Sequence, residues 1–372
     1  MEVVMRMRMG RIGLSEAVCV AAIALSTGGV FGIDPVYAYL GGNSTYISMP
    51  LSIIVSLLIM LPVLKLMDAT KCRDISELFL KSAGRAGGIM LMLPICAALL
   101  ICAAKPLMAF AQVLHRMVYD GVKYSSIIVF MFPVAVFMAW KGLETVGRTA
   151  KCIAVLPLVA LAAAVMSSAS GFEIYRLFPL VGDGMKHFAL FAVSDTFVFI
   201  PPIAGLLICG EALGGNEFIR KAAVRSAFIA FAVCFIAQFA ISLSFRSGLL
   251  AESVMPLYKI GFLSAKQSFV LRLDKLFIMI WLCGALVSCA YCIYSSSLFF
   301  SKMLSQKDVT VSVAASSLIT CTLLLEIIKV DNAVVEKIRN AISYYGALFL
   351  IIPLAAVCLL TVIKKRAGRL EA

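Results

Sequence analysis

The sequence predicts an all-α polytopic membrane protein of ten transmembrane helices whose first and sixth spans are broken, and three observations carry that prediction. The 372-residue chain is 62% hydrophobic and 14% charged, with a mean hydropathy of +1.02; soluble domains are about half apolar and about a quarter charged. Its apolar residues gather into ten runs, most close to the roughly 20 residues a helix needs to cross hydrocarbon. The first and sixth runs carry polar and helix-breaking residues in their middles. Broken backbone survives at membrane depth only where it is buried in protein or lines a cavity. A pair of such interruptions in corresponding positions of two halves points to a secondary-transporter site at a repeat interface.

The first span, 14–36, follows Arg6, Arg8 and Arg11. A basic segment before an apolar run resembles a signal peptide, but the run leads into another polar-poor span, so an uncleaved first helix is expected. Ser26-Thr27-Gly28-Gly29, Gly32 and Asp34-Pro35 interrupt it; glycine lowers the cost of unwinding, and unwound amides and carbonyls become a polar site. After the second span, 46–67, the segment from Asp68 to Gly87 is amphipathic and suited to lie along the membrane surface. The third span, 88–114, contains Lys105 directly before Pro106. The fourth and fifth are 124–141 and 151–168, the latter entered through Glu144 and Arg148, which at four residues apart share a helical face and suit a structural ion pair.

The sixth span, 187–209, carries Ser194-Asp195-Thr196 and Pro201-Pro202. Two consecutive prolines remove two amide donors and clash with the preceding turn, so a break is expected between Asp195 and Pro202. The seventh span, 222–245, is joined to the eighth, 274–300, by the longest connection, Arg246 to Arg272, a candidate lid with Pro256 and Gly261. The ninth and tenth are 309–328 and 341–363. An N-terminus in the cytoplasm gives the inner loops the larger share of Lys and Arg, so both termini are expected inside.

Several function classes lack residues. The net charge of +13 is spread over short loops and termini, which membrane topology and anionic lipid headgroups explain without a nucleic-acid partner. Most of the twelve cysteines lie in apolar runs as small hydrophobes. Cys289 and Cys292 share a helix face, but no second Cys or His pair accompanies them, and a structural zinc site needs four ligands. No metal or other cofactor is expected. There is no phosphate-binding P-loop and no H-E-x-x-H. An enzyme is not expected: no nucleophile, base and orienting group can be assembled, and His115 and His187 sit at predicted outer boundaries.

Gly142-Leu143-Glu144-Thr145-Val146-Gly147-Arg148-Thr149-Ala150, at the entry to the fifth span, resembles the G-[IL]-E-x-[IVL]-x-R-x-A signature of the endospore germinant-receptor B subunits, the spore germination permeases. Phe178-Pro179-Leu180, Arg272-Leu273-Asp274-Lys275-Leu276-Phe277-Ile278 and Ile280-Trp281 are similar to that family's later landmarks. With the ten-span layout, the resemblance covers nearly the whole chain. It implies membership of the amino acid/polyamine/organocation transporter superfamily and a LeuT/APC-like five-plus-five inverted repeat in a single domain over 1–372, with repeats at about 14–168 and 187–363. It further implies a germinant-sensing subunit in the inner membrane of the spore, with an A-type subunit and a C-type lipoprotein as partners and a small-molecule germinant, an amino acid, as ligand.

In such a fold, half-helix N-termini face a substrate carboxylate and unwound carbonyls face its ammonium group. Thr27, Gly28 and Gly29 are placed to offer amides, and Ser194, Asp195 and Thr196 surround the other break; the alternatives are close packing of the glycines and a purely structural kink. Phe197 and Tyr291 are candidate pocket walls. Lys105 lies roughly 9 Å outward of the midplane, Asp195 about 3 Å and Asp34 about 13 Å, so either carboxylate is a candidate partner; the alternative is snorkelling to the interface. In the superfamily, hydroxyls such as Ser288, Ser295, Ser296 and Ser297 can complete a sodium site; in the other reading they bond the carbonyl one turn back. A proton- or sodium-coupled amino acid transporter is the alternative to the receptor.

Overall fold

A computed structural model describes residues 11–31, 44–115, 121–182, 184–245, 257, 273–306, 308–329 and 333–367. The described chain is helical, in the order α1 Leu14–Phe31, α2 Thr45–Ala69, α3 Ile75–Val113, α4 Tyr124–Lys141, α5 Leu143–Ile153, α6 Val155–Ser168, α7 Met185–Ser194, α8 Thr196–Ile208, α9 Gly210–Leu213, α10 Asn216–Ser244, α11 Leu273–Met303, α12 Val309–Lys329 and α13 Ala333–Arg366. Among the described residues, nine helical segments are long and apolar enough to cross a membrane, and Val309–Leu325 is a shorter apolar helix. The chain is an integral, multi-pass membrane protein.

The neighbour pattern has a two-fold logic. Span one (α1) packs on spans seven (α10) and eight (α11), while span six (α7–α8) packs on spans two (α2) and three (α3). Span eight packs on four (α4) and five (α5–α6), and span three on nine (α12) and ten (α13). Each contact in one half thus has a counterpart five spans later, as a five-plus-five repeat requires. Spans one, three, six and eight sit at the centre, so the apolar faces of α1 and α8 are closed by protein on nearly all sides; every residue from Val20 to Phe31 is buried.

Local sequence fixes the ends. Asp74, extended at φ −145° and ψ 167°, caps α3 by accepting from the Glu77 amide at 2.9 Å, and Glu77 Oε2 accepts from the Arg73 amide at 2.8 Å. The segment after Asp68 differs from the expected surface helix: Ile75, Leu78 and Phe79 are buried against the bundle, and the chain bends into span three at Gly84, whose φ of 75° suits glycine. Gly142, at φ 99°, separates α4 from α5. The conspicuous Gly142 to Ala150 segment then forms α5, where Gly147 packs against α1 so closely that a Cβ would lie 3.3 Å from that of Glu16. Arg148 and Glu144 form the expected ion pair on its exposed side.

Candidate ligand-binding site

The sixth span is interrupted at a single residue. α7 ends at Ser194, Asp195 forms a turn at φ −65° and ψ −15°, and α8 begins at Thr196. The prolines are not the break: Pro201 and Pro202 lie inside α8, buried. Their effect falls one turn earlier. Proline has no amide hydrogen, so Pro201 withdraws the ordinary donor to the Phe197 carbonyl, and the Val198 carbonyl loses both its i+3 and i+4 donors. The thiol of Cys102 on α3 faces both oxygens, 3.8 Å from Phe197 O and 3.9 Å from Val198 O. Such a bond is weak, so the two carbonyls remain strong acceptors in an apolar setting. The Pro202 carbonyl accepts from the Tyr291 hydroxyl at 2.8 Å.

Lys105 lies one turn beyond Cys102 on α3, and its Nζ is 5.9 Å from the centroid of the Phe197 ring. No carboxylate among the described residues is within ion-pairing distance of it, so the expected pair with Asp195 is not formed; Asp34 lies outside the described residues. The aromatic face supplies the attraction the carboxylate does not. Gly346 on α13 also presses on Phe197, where a Cβ would lie 2.7 Å from a ring carbon. Ser194, Asp195, Thr196 and Phe197 are all buried, and Thr196 Oγ1 donates back to the Val193 carbonyl at 2.5 Å.

The first span corrects the expected unwinding between Ser26 and Gly29. α1 remains helical through Thr27, Gly28 and Gly29 to Phe31; Gly32, Asp34 and Pro35 lie outside the described residues. The glycines allow contact instead. A Cβ on Gly28 would sit 2.8 Å from Val198 Cγ1, and one on Gly29 would sit 2.5 Å from Cys234 Sγ and 3.1 Å from the Phe199 ring. The polar group that α1 presents at this level is a carbonyl: Gly29 O accepts from Gln238 Nε2 of α10 at 3.4 Å. Thr27 Oγ1, fully buried, has no hydrogen-bond partner among the described residues and faces Gly284 of α11. Phe31, Phe110 and Trp281 close the space beyond it, with ring centroids 4.9 Å apart in both edge-on pairs.

Lys105 and Phe197 therefore meet, with Asp195 and Thr196 preceding Phe197 in the chain and Gly28 against the next residue, Val198. Tyr291 stands apart, against Gly205 and Ser295 Oγ, two turns down α8 from Phe197. Ser296 and Ser297 bond the carbonyls of Ile293 and Tyr294, three residues back; Ser295 Oγ is buried beside the Tyr291 hydroxyl. Among the described residues no group of three or more His, Cys, Asp or Glu side chains is placed to hold a metal. The expected lid, 246–272, lies outside the described residues apart from Leu257. Cys102 and Gln238 escaped the sequence reading. Cys102 is three residues from Lys105 on the same helical face, and Gln238 is an amide inside an apolar span; either signal marks an interior-facing position.

A two-fold helical bundle with a polar interruption enclosed at its centre is the architecture of a secondary transporter. The solved structures agree. The chain is similar to Mhp1, a nucleobase-cation-symport-1 family transporter in a closed conformation with bromovinylhydantoin bound (TM-score 0.65, 12% identity, 97% of this chain and 93% of that one). It is similar to a sodium-coupled sialic acid symporter in a substrate-bound outward-open state (0.61, 15%, 96% and 90%) and to MhsT in complex with L-phenylalanine (0.59, 14%, 95% and 89%). Comparison with curated protein sequences finds no match. The spore germination protein model, a permease family, matches residues 17–333. The chain belongs to that family, and its fold is that of transporters rather than of enzymes.

Proposed function

We propose that this chain is the germinant-sensing B subunit of a spore germination receptor, which binds a small amino acid at the sixth-span break and signals by changing conformation. The observation that carries the reading is the pairing of opposite poles beside Phe197. The Lys105 ammonium has no carboxylate partner among the described residues, and one turn away the Phe197 and Val198 carbonyls lack their helical donors. A zwitterion satisfies both, its carboxylate on Lys105 and its ammonium on the carbonyls. Gly28, packed on Val198, backs this stretch of α8. MhsT, similar in fold, holds L-phenylalanine, the same class of ligand. A location in the spore inner membrane, cytoplasmic termini, and A-type and C-type lipoprotein partner subunits belong to the same proposal. Signalling requires that the ligand bind one conformation more strongly than the other.

The test is the optical-density loss of purified spores lacking this gene, challenged with single amino acids, sugars and purine nucleosides. Loss of the response to one amino acid is expected, restored by the wild-type gene but not by Lys105→Met at equal protein level. An unchanged response across the panel, in a strain without paralogues, overturns the receptor reading. Radiolabelled uptake in vesicles then tests the alternative, a proton- or sodium-coupled amino acid transporter.

A further inference from the structure

One end of the bundle is held shut by polar ties in addition to apolar packing. Residues 12 and 364 both lie at this end, since the Ile12 amide donates to Ala212 O at 3.3 Å and Lys364 Nζ to Lys81 O at 3.3 Å. Asp74, whose side chain is 2% exposed, caps α3 through Oδ1 and faces Lys302 Nζ through Oδ2 at 3.1 Å. The same ammonium reaches Glu211 of α9 at 3.2 Å. One lysine at the end of span eight thus joins the start of span three to the short helix that follows span six.

Two further contacts close the seam. Asn216 Nδ2 donates to Cys72 O at 3.2 Å, and Gly210 approaches Arg73 so closely that a Cβ would lie 2.3 Å from its carbonyl oxygen. A buried carboxylate stripped of its cation is strongly unfavourable, so Lys302 completes what the Glu77 amide and the Ser76 hydroxyl, both donating to Oδ1, begin in making the closed arrangement of Asp74 tolerable. Polar ties differ from apolar packing in that water replaces them when they part, which suits a contact meant to open. Lys302 also lines a cleft of about 290 Å³ with Leu80, Arg85, Ile89, Met303 and Ser305, which gives its side chain room to withdraw.

We propose that Lys302, Asp74 and Glu211 form a releasable latch, and that its opening is the movement by which the break at Asp195 is coupled to this end of the molecule. α8 is the connecting rod. It runs 13 residues from Thr196, beside the pocket, to Ile208, just before Glu211, a length of about 20 Å. A tilt at the Asp195 turn therefore swings Glu211 away from Lys302. The trigger rests on the ligand reading above; the latch is a property of the resting chain.

Two native thiols report on it. Cys72 and Cys209, 2% and 1% exposed, flank Asp74 and Glu211, while Cys234 and Cys289 are fully buried elsewhere in the bundle. N-ethylmaleimide modification of the full-length protein in membranes, read cysteine by cysteine by peptide mass spectrometry, follows the population of the locally open state. Lys302→Met and Gly210→Ala each raise modification of Cys72 and Cys209 by about tenfold, with Cys234 and Cys289 still protected, and Lys302→Arg does not, because it keeps the cation. Continued protection of Cys72 and Cys209 in both opening variants overturns the latch. If Cys234 and Cys289 open as well, the fold itself has loosened, and Glu211→Gln decides, since it leaves Asp74 paired; no rise at Cys209 in that variant overturns the proposal. No germinant enters this assay, so its failure is distinct from failure of the receptor reading.

Discussion

α1 and α8 lie side by side at the centre of the bundle and use their special residues to opposite ends. In α8, Pro201 and Pro202 keep the helix but strip donors from the carbonyls one turn back, which leaves acceptors facing Cys102 and, beyond it, Lys105. In α1, Gly28 and Gly29 strip away side chains, which lets Val198, Cys234 and Phe199 approach the helix backbone. One helix makes a polar surface and the other makes room for it. The difference teaches that a helix-breaking residue in a membrane span need not break the helix: proline acts on hydrogen-bond supply, glycine on distance.

The sharpest way to break this comparison is to fill the space that glycine leaves. Gly29→Leu forces a branched side chain into a site where the Cβ alone meets Cys234 and Phe199, and overpacking of this kind costs about 1–3 kcal/mol or more. The expected result is loss of folded protein in membranes, and Gly29→Ala combined with Cys234→Gly regains part of what Gly29→Ala loses. A Gly29→Ala variant that keeps full stability but loses ligand binding would instead make the glycine a binding residue. Lys105→Met tests the other helix pair. A deep lysine costs about 2.5–3.5 kcal/mol on insertion scales, so the ligand-free protein in detergent is expected to unfold at a higher temperature while ligand binding is lost; a lower unfolding temperature would show that Lys105 is structural.

Because Lys105 and Asp195 do not form an ion pair, Lys105→Met and Asp195→Asn should affect ligand affinity additively, within about 0.5 kcal/mol. Compensation in the double mutant would reveal a pair formed in another conformation. Tyr291→Phe removes the donor to the Pro202 carbonyl and should cost about 1 kcal/mol of stability with little effect on ligand affinity, since Tyr291 lies two turns from Phe197. Gln238→Leu, which releases the Gly29 carbonyl, is the smallest expected effect, about 0.6 kcal/mol, the usual scale of interhelical hydrogen bonds in membranes.

The ten-span outline was legible because hydrocarbon admits helical spans of one narrow length range, so composition and run length already limit the fold. The interruption near Asp195 was also legible, as was the isolation of Lys105 in span three. The partner of Lys105 was not: an ammonium can be met by a carboxylate, by a ring face or by the interface, and only the packing of α3 on α8 selects Phe197. Nor was the amphipathic segment after Asp68, whose apolar face suits a membrane surface and a protein surface equally; the bundle buries Ile75, Leu78 and Phe79.

By itself, then, the sequence determined the succession of apolar spans, that the sixth is interrupted somewhere between Asp195 and Pro202, and that Lys105 stands as an isolated charge in the third. Those outcomes follow from local rules of length, hydrogen-bond supply and charge solvation. Tertiary structure alone decided that Gly28 and Gly29 serve contact rather than unwinding, that Cys102 faces the carbonyls the prolines release, and that Lys302 bridges Asp74 and Glu211 from distant parts of the chain. A backbone freed of one constraint takes the conformation its neighbours permit, and those neighbours are set by packing between distant helices.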